Sequence, residues 1–162
     1  MKKNKVNFSR QLIKGKIAEM IFEQMLRDTE NFTVLGFGYE KILPELANNQ
    51  GSIQVERTME IIRRAPDFAV INHETNKVHL IEVKYMTNKT SAKVKQAASR
   101  MIKSWDPSYL FIATPKGFFF DPAEKIIKEK GKISPLNHKN FSNALQKKYV
   151  DLMNEFILRA KR

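Results

Sequence analysis

The chain contains no cysteine, and this absence excludes several kinds of site at once. Disulfide bonds, thiolate-bound zinc and a cysteine nucleophile all require a residue that the sequence does not have. The histidines His73, His79 and His138 are too scattered to form a recognisable zinc-binding spacing. A functional site must therefore be built from other residue types.

Long apolar segments and a nucleotide-binding signature are also missing. No apolar run approaches the roughly 20 residues of a membrane helix. Arg10, Lys14 and Lys16 interrupt any signal core after the basic N-terminal residues. We therefore expect a protein of the cytoplasm or nucleoid that is not secreted and has no membrane partner. The P-loop pattern Gly-x-x-x-x-Gly-Lys-Ser/Thr does not occur, so we expect no nucleotide cofactor.

Positive charge, by contrast, is abundant. Lysine and arginine total 29 against 17 acidic residues, which gives a formal net charge of +12. Such an excess favours polyanionic partners through long-range attraction and counterion release, although a merely soluble basic protein is the alternative. The length of 162 residues fits one domain, residues 1–162, with a core of its own.

Hydrophobic periodicity predicts an α/β fold. Apolar residues at helical spacing indicate helices over residues 9–28, 90–105 and 141–160, and Asp121, as a cap, opens a further helix. Apolar runs rich in β-branched and aromatic residues indicate strands over residues 32–39, 67–72, 77–85 and 109–114. Residues 44–57 are expected to form a loop or a short extra strand. The order α-β-β-β-α-β with C-terminal helices predicts a mixed sheet covered on two sides.

The two central strands form a hairpin that gathers charged residues. If the turn is centred between Glu74 and Thr75, Asp67 lies directly opposite Glu82, and Ala69 and Ile71 lie opposite Leu80 and Val78. Because side chains alternate between faces, Lys84 shares the face of Glu82. Both faces of the hairpin are otherwise apolar, so we expect both to be buried.

Opposed carboxylates of this kind need a counter-charge. They lie about 5 Å apart at Cβ and repel each other, and desolvation raises their pKa values unless a cation lies between them. Mg²⁺ prefers oxygen ligands and a few carboxylates, and Mn²⁺ can replace it. The alternative is a salt bridge of Lys84 with Asp67 or Glu82. The register and the apolar surroundings favour the metal site.

The spacing of Pro66-Asp67 and Glu82-Val83-Lys84 resembles the PD-(D/E)XK motif of the restriction-endonuclease-like nuclease superfamily. The resemblance implies an αβββαβ core, with Asp67 and Glu82 as Mg²⁺ ligands and Lys84 assisting the attacking water. It also implies that the backbone carbonyl of Val83 adds a metal ligand.

Further residues are similar to those of archaeal Holliday-junction resolvases. The stretch Lys14-Gly15-Lys16-Ile17-Ala18-Glu19 implies that Glu19 is an additional catalytic acid and metal ligand, with Glu23 a weaker candidate and a plain surface carboxylate the alternative. On the helix after the hairpin, Lys93, Gln96 and Arg100 form a polar stripe with Lys89 and Lys103 that could follow a phosphate backbone. Arg63 and Arg64 could contact DNA near the cut.

The sequence thus predicts a Mg²⁺-dependent DNA endonuclease with Asp67, Glu82, Lys84 and Glu19 at its centre. Junction resolution, site-specific cleavage of the restriction or homing type, repair and RNA cleavage all remain open, as does a non-catalytic DNA-binding module. Phe118-Phe119-Phe120 could be core, a stacking surface or a subunit interface. The apolar C-terminal helix is expected to pack in the core and permits a homodimer.

Overall fold

The computed structural model describes residues 2–38 and 53–159, with side chains described for residues 9–38 and 56–159. Within these ranges no helix is both long and apolar enough to cross a membrane. The elements follow in the order α1 (Lys2–Arg27), β1 (Phe32–Gly36), α2 (Ile53–Arg63), β2 (Phe68–Asn72), β3 (Lys77–Tyr85), α3 (Ser91–Ile102), β4 (Tyr109–Thr114), β5 (Gly117–Pro122), α4 (Ala123–Lys128) and α5 (Asn143–Arg159).

The five strands form one sheet in the order β1-β2-β3-β4-β5. All neighbours are antiparallel except β3 and β4, which run parallel. A parallel pair needs a crossover connection, and here it contains α3. The predicted α/β class, with a mixed sheet flanked by helices, is therefore confirmed.

Two apolar clusters lie on opposite faces of the sheet. On one face α1 and α5 pack against the sheet, with Phe22, Phe111 and Tyr149 at most 2% exposed. On the other face α3 and α4 pack against β4 through Val94 and Ile126, which are fully buried. Because residues of β4 alternate between these clusters, this strand is fixed from both sides.

The buried face of α1 differs in part from the predicted one. Helical spacing predicts one apolar face of Ile13, Ile17, Met20, Ile21 and Met25; Ile21 and Met25 are buried, but Ile13 and Met20 are 44% and 69% exposed. The buried face also includes Ala18 and Phe22, which were not predicted. Phe156 of α5 was also expected in the core and is 47% exposed.

Two elements were not predicted. Residues 53–57, expected to be irregular, begin α2, and residues 44–52 of the same prediction lie outside the described residues, as do Tyr39 and Ala160. The three phenylalanines form β5, in which Phe118 is buried and Phe119 and Phe120 are partly exposed.

The predicted cap of α4 is wrong. Because β5 continues to Pro122, that residue is the N-cap, and Asp121 lies within the strand. The Asp121 carboxylate accepts hydrogen bonds from Ser134 N–H at 2.6 Å and from Lys125 Nζ at 2.7 Å. Burial alone would raise the pKa of Asp121, but these hydrogen bonds outweigh it and lower the pKa.

The expectation that both hairpin faces are buried is only partly correct. On the face of α3 and α4, Ala69 and Ile71 are half-buried, and Val78 is 61% exposed. The reason is that the cluster on this face is formed with β4 and does not extend to the β2–β3 turn.

A polar contact joins the C-terminal end of α1 to α5. The buried Tyr149 hydroxyl donates to Asp28 Oδ2 at 2.5 Å, and Lys148 Nζ lies 3.0 Å from the same oxygen. Hydrogen bonds from Tyr149, Lys148 and Gln24 lower the pKa of Asp28 to about 2. Burial and the bond to Asp28 raise the pKa of Tyr149 to about 12.

Tyr149→Phe is expected to lower the free energy of unfolding by about 1 kcal/mol at pH 7, because it removes one hydrogen bond to a carboxylate. A carboxyl with a depressed folded pKa stabilises the protein above its unfolded pKa, here near 3.8, and loses that contribution as the pH falls towards 2. Urea unfolding of both proteins from pH 7 to pH 2 should therefore show the difference shrinking below pH 4. An unchanged difference at pH 2 would contradict this assignment.

Candidate functional site

The β2–β3 register brings two acidic residues together. Ala69 pairs with Leu80 and Ile71 with Val78, which confirms the predicted hairpin register. The last pair of this ladder is Phe68 with Ile81, so Asp67 and Glu82 are the next residues along the two chains. The Asp67 carbonyl accepts from Phe37 N–H at 2.9 Å, so the backbone of Asp67 faces β1. Asp67 and Glu82 therefore occupy a non-hydrogen-bonded position of the ladder, in which opposed Cα atoms lie only about 4.5 Å apart.

The start of β2 directs the Asp67 side chain towards β3. Pro66, which is fully buried, has no N–H to pair and precedes the strand. Opposite the residues that precede β2, Val83 N–H has no backbone partner on β2. It donates instead to Asp67 Oδ2 at 2.8 Å. The Asp67 carboxylate therefore lies against the main chain of β3. The Val83 carbonyl faces the same side of the strand, because N–H and C=O of one strand residue point in one direction.

Lys84 pairs with Glu82 on β3. The Lys84 ammonium donates to Glu82 Oε1, and the Lys84 side chain is 44% exposed while that of Glu82 is 16% exposed. The salt bridge considered for these residues is therefore present. This salt bridge does not include the Asp67 carboxylate. Among the described residues, Asp67 therefore has no ammonium in hydrogen-bond contact.

The charges of the site act strongly on Asp67. Burial and the nearby charge of Glu82 raise the pKa of Asp67 to about 6. The positive charge of Lys84 and the hydrogen bond from Val83 N–H oppose this increase but do not offset it. The site thus holds more negative charge than its own cation neutralises, and an additional cation would be stabilised there.

Lys84 itself is a cation at neutral pH. Burial would lower its pKa, but the negative charges of Glu82 and Asp67 and the hydrogen bond to Glu82 more than offset burial and raise the pKa above its ordinary value. In this state Lys84 can donate hydrogen bonds and neutralise negative charge, but it has no lone pair to accept a proton.

Glu19 of α1 belongs to the same electrostatic cluster. Burial and the charge of Asp67 raise the pKa of Glu19. The charge of Glu19 in turn raises the pKa of Lys84. Lys16 Nζ lies 3.0 Å from Glu19 Oε2 and also acts on Asp67, a role that sequence reasoning did not find. Glu23 instead forms an ion pair with Arg27 at 2.8 Å, as expected of a surface carboxylate.

A cleft of about 800 Å³ opens beside Glu82 and Lys84. One wall is formed by α3, whose buried Val94 and Ala98 leave its polar side facing outward. All five residues predicted to bind nucleic acid line the cleft: Arg63, Arg64, Lys93, Gln96 and Arg100. Gln11 of α1, which was not predicted, lines it as well. Asp67 and Glu19 do not line it.

The opposite wall depends on elements that the sequence analysis did not predict. Arg63 and Arg64 lie at the end of α2, and Trp105 Nε1 donates to the Ile61 carbonyl at 3.1 Å. Trp105 was predicted as the last apolar residue of α3, but that helix ends at Ile102. Trp105 packs edge-on against Phe37 at 5.2 Å and so joins α2 to the segment after β1.

Lys89 and Lys103, expected on the same polar stripe, do not line the cleft. Lys89 Nζ lies 4.3 Å above the Phe119 ring, and Lys103 is the exposed C-cap of α3. The cleft-facing part of the stripe is therefore limited to Lys93, Gln96 and Arg100, and Lys103 provides a matched residue outside the cleft.

The donor set fits a hard cation that keeps much of its hydration. Across residues 2–38 and 53–159, no three histidine or acidic side chains are arranged to hold a metal by themselves. Asp67 and Glu82 each use one oxygen in a bond within the described protein, which leaves their second oxygens for a cation. Mg²⁺ commonly binds through one or two carboxylates and completes its octahedral shell with water and substrate phosphate.

Comparisons with protein-family models, with curated proteins and with solved structures find no match for this chain. The functional assignment therefore rests on the residues of the site and on their arrangement. The strongest elements are the opposed carboxylates, the adjacent ammonium and the basic cleft beside them.

Asp67→Asn is expected to stabilise the metal-free protein at pH 8. The folded pKa of about 6 lies above the ordinary 3.8, so the ionised carboxylate opposes folding, and the wild type loses stability as the pH rises from 4 through 6. Below pH 4 the two proteins should differ little, and above pH 6 the variant should be more stable by roughly 1–3 kcal/mol. Denaturant unfolding in the presence of EDTA measures this difference, and a less stable variant at pH 8 would contradict the charge repulsion.

Proposed function

We propose that this protein is a Mg²⁺-dependent nuclease that hydrolyses phosphodiester bonds in DNA. We assign it to the PD-(D/E)XK type, with the restriction-endonuclease-like αβββαβ core formed by α1, β1, β2, β3, α3 and β4. The observation that carries the proposal is the juxtaposition of Asp67 and Glu82 across two strands, with Lys84 on the same strand as Glu82. The helix α2 and the strand β5 are additions to that core.

The residues of the site divide the chemistry between them. Asp67, Glu82, Glu19 and the Val83 carbonyl would hold Mg²⁺, with Mn²⁺ as a substitute. When bound, the metal polarises the phosphate and lowers the pKa of a coordinated water. The Lys84 ammonium orients the attacking water by donating to it and offsets the negative charge that grows on the phosphorane. The Glu82 carboxylate holds the Lys84 side chain in place for that role.

The cleft supports nucleic acid as the substrate. Its walls carry Arg63, Arg64, Lys93 and Arg100 above Glu82 and Lys84, so phosphates could be bound on both sides of the reacting group. Arginine and lysine at these positions would neutralise phosphates without reading bases, and Gln96 could donate to a phosphate oxygen or a base edge.

A structure-specific activity of the Holliday-junction resolvase type is the form we propose first, and a restriction or homing type is the alternative. A cleavage panel with Mg²⁺ on a four-way junction, a duplex, single-stranded DNA and RNA distinguishes them. Preference for the junction supports resolution. A homodimer would suit two-strand cutting, and the exposed Met20, Phe156 and Leu158 offer apolar surface for it.

A non-catalytic DNA-binding module is the competing function. The same cleft would serve it, but binding alone does not require an uncompensated carboxylate pair. Absence of cleavage on every substrate of the panel with both Mg²⁺ and Mn²⁺, despite tight binding, would establish this alternative.

Asp67→Ala, Glu82→Ala and Lys84→Ala are each expected to reduce the Mg²⁺-dependent cleavage rate by at least about a hundredfold, because each removes a metal ligand or a charge at the reacting phosphate. DNA binding measured in EDTA should be largely retained. Glu124→Ala, at an exposed position of α4, is the matched control and should cleave normally. Full activity of any of the three site variants would disprove the assigned site.

Removal of charge from the cleft walls is expected to weaken DNA binding. Arg63→Gln, Lys93→Gln and Arg100→Gln should each lower affinity, and the slope of log affinity against log salt should fall by about one for each phosphate that is no longer neutralised. Lys103→Gln removes the same charge from the same helix outside the cleft and should change little. Fluorescence anisotropy at several salt concentrations measures both quantities. An equal decrease in affinity for Lys103→Gln would show that net charge, and not the cleft, binds DNA.

A further inference from the structure

A second cavity, of about 440 Å³, lies on the opposite face of the sheet from the cleft. It is enclosed by the C-terminal half of α1, the sheet and residues 134–141. Its floor is formed by the buried Phe22, Met25 and Phe111, which belong to the apolar cluster under α1. The volume lies within the range of small-molecule sites, which are lined mainly by apolar and aromatic side chains. No residue of the candidate nuclease site lines it.

Several aromatic rings at the mouth of the cavity are partly exposed and lie in stacked or edge-on pairs. Tyr109 and Phe120 stack in parallel with centroids 5.5 Å apart and an interplanar angle of 5°. His79 meets Tyr109 edge-on at 4.9 Å, so three rings follow one another across β3, β4 and β5. On the α1 side, Phe32 and Phe141 form another parallel pair at 5.6 Å. Sheet surfaces that present exposed aromatic rings in this way are suited to stacking planar ligands.

The polar groups at the mouth favour a neutral heteroaromatic ring. Burial lowers the pKa of His79, aided by the charges of Lys77 and His138, so its imidazole is neutral at physiological pH. His138 Nδ1 accepts from Asn140 N–H at 3.3 Å, so the proton of this ring lies on Nε2, which can donate to a ligand. Lys125, also at the mouth, is bound to Asp121 and Ser134. The mouth therefore provides hydrogen-bond donors and acceptors at the edges of the His79 and His138 rings. The Lys125 ammonium is already paired with Asp121.

We propose that this cavity binds a nucleobase, stacked against the Tyr109–Phe120 pair and hydrogen-bonded at its edge by the imidazoles. An aliphatic ligand would gain burial of apolar surface against these rings, whereas a base would gain π-stacking as well, because every base has a π-face. The base could belong to an unpaired nucleotide of a strand or to a free nucleotide. The proposal is independent of hydrolysis, because the cavity and the nuclease site share no residue.

The experiment uses 2-aminopurine, whose fluorescence is quenched when it stacks. The full chain is titrated in EDTA against 2-aminopurine riboside monophosphate and against a single-stranded pentanucleotide with 2-aminopurine at its centre. Saturable quenching of either probe is expected. Tighter binding of the pentanucleotide identifies a strand as the source of the base, and equal or tighter binding of the monophosphate identifies a free nucleotide.

Variants locate the quenching. Tyr109→Leu and Phe120→Leu should each weaken binding by about tenfold, the effect of removing one stacking ring. Because these partly exposed rings also contact the core, a variant outside the core is needed as well. Asn137 is exposed at the mouth, so Asn137→Trp should fill the opening and abolish quenching, while Asn137→Ala should bind normally.

Three results would overturn the proposal. The first is no quenching of either probe, and the second is quenching that persists in Asn137→Trp. The third is binding of indole at this cavity, detected by a thermal shift that Asn137→Trp removes, without binding of either 2-aminopurine probe.

Discussion

The unequal balance of charge around Asp67 is the constraint on which the site depends. Two carboxylates meet at the start of β2 and on β3, and among the described residues only Glu82 has an ammonium in direct contact. The other is held against β3 by a main-chain N–H, and its pKa rises to about 6 because burial and the charge of Glu82 disfavour its ionised form. A fold does not keep such an arrangement for its own stability. The arrangement is useful where a further cation is to be bound.

The surrounding structure explains how the carboxylates are kept together. Val83 lies in the apolar cluster under α1, while its neighbours Glu82 and Lys84 point to the side of α3. One strand therefore anchors itself on one face and presents charged groups on the other. Glu19, whose charge acts on Lys84, is held in α1 beside the fully buried Ala18. The site is thus fixed by packing on elements distant in sequence.

The hairpin could be predicted because its information is local. The turn residues and the period-two alternation of residues 67–85 are sufficient to determine the register, and the register brings Asp67 to Glu82. The position of α2 could not be derived in this way, since the hydrogen bond from Trp105 Nε1 to the Ile61 carbonyl joins residues 44 positions apart in the sequence. The role of Asp121 was misjudged because a cap and a strand end have similar local patterns. Part of the buried face of α1 was also missed, because Ala18 is small and a search for large apolar side chains does not weigh it.

The cavity under α1 also had only a weak signal in the sequence. Phe118-Phe119-Phe120 was compatible with core, a stacking surface or an interface, and the strand alternation of β5 divides the three between the two faces. Phe120 meets Tyr109 only because residues 111 and 120 are paired across β4 and β5. Such a contact joins residues that no sequence pattern links.

The most direct test of the central claim is a Mn²⁺ titration of the DNA-free protein at pH 8, followed by the electron paramagnetic resonance signal of free Mn²⁺. The account predicts saturable binding to the wild type that is strongly weakened by Asp67→Asn and by Glu82→Gln, while Glu124→Gln binds normally. Equal binding by all four proteins, or none by the wild type, would show that the opposed carboxylates do not form a cation site.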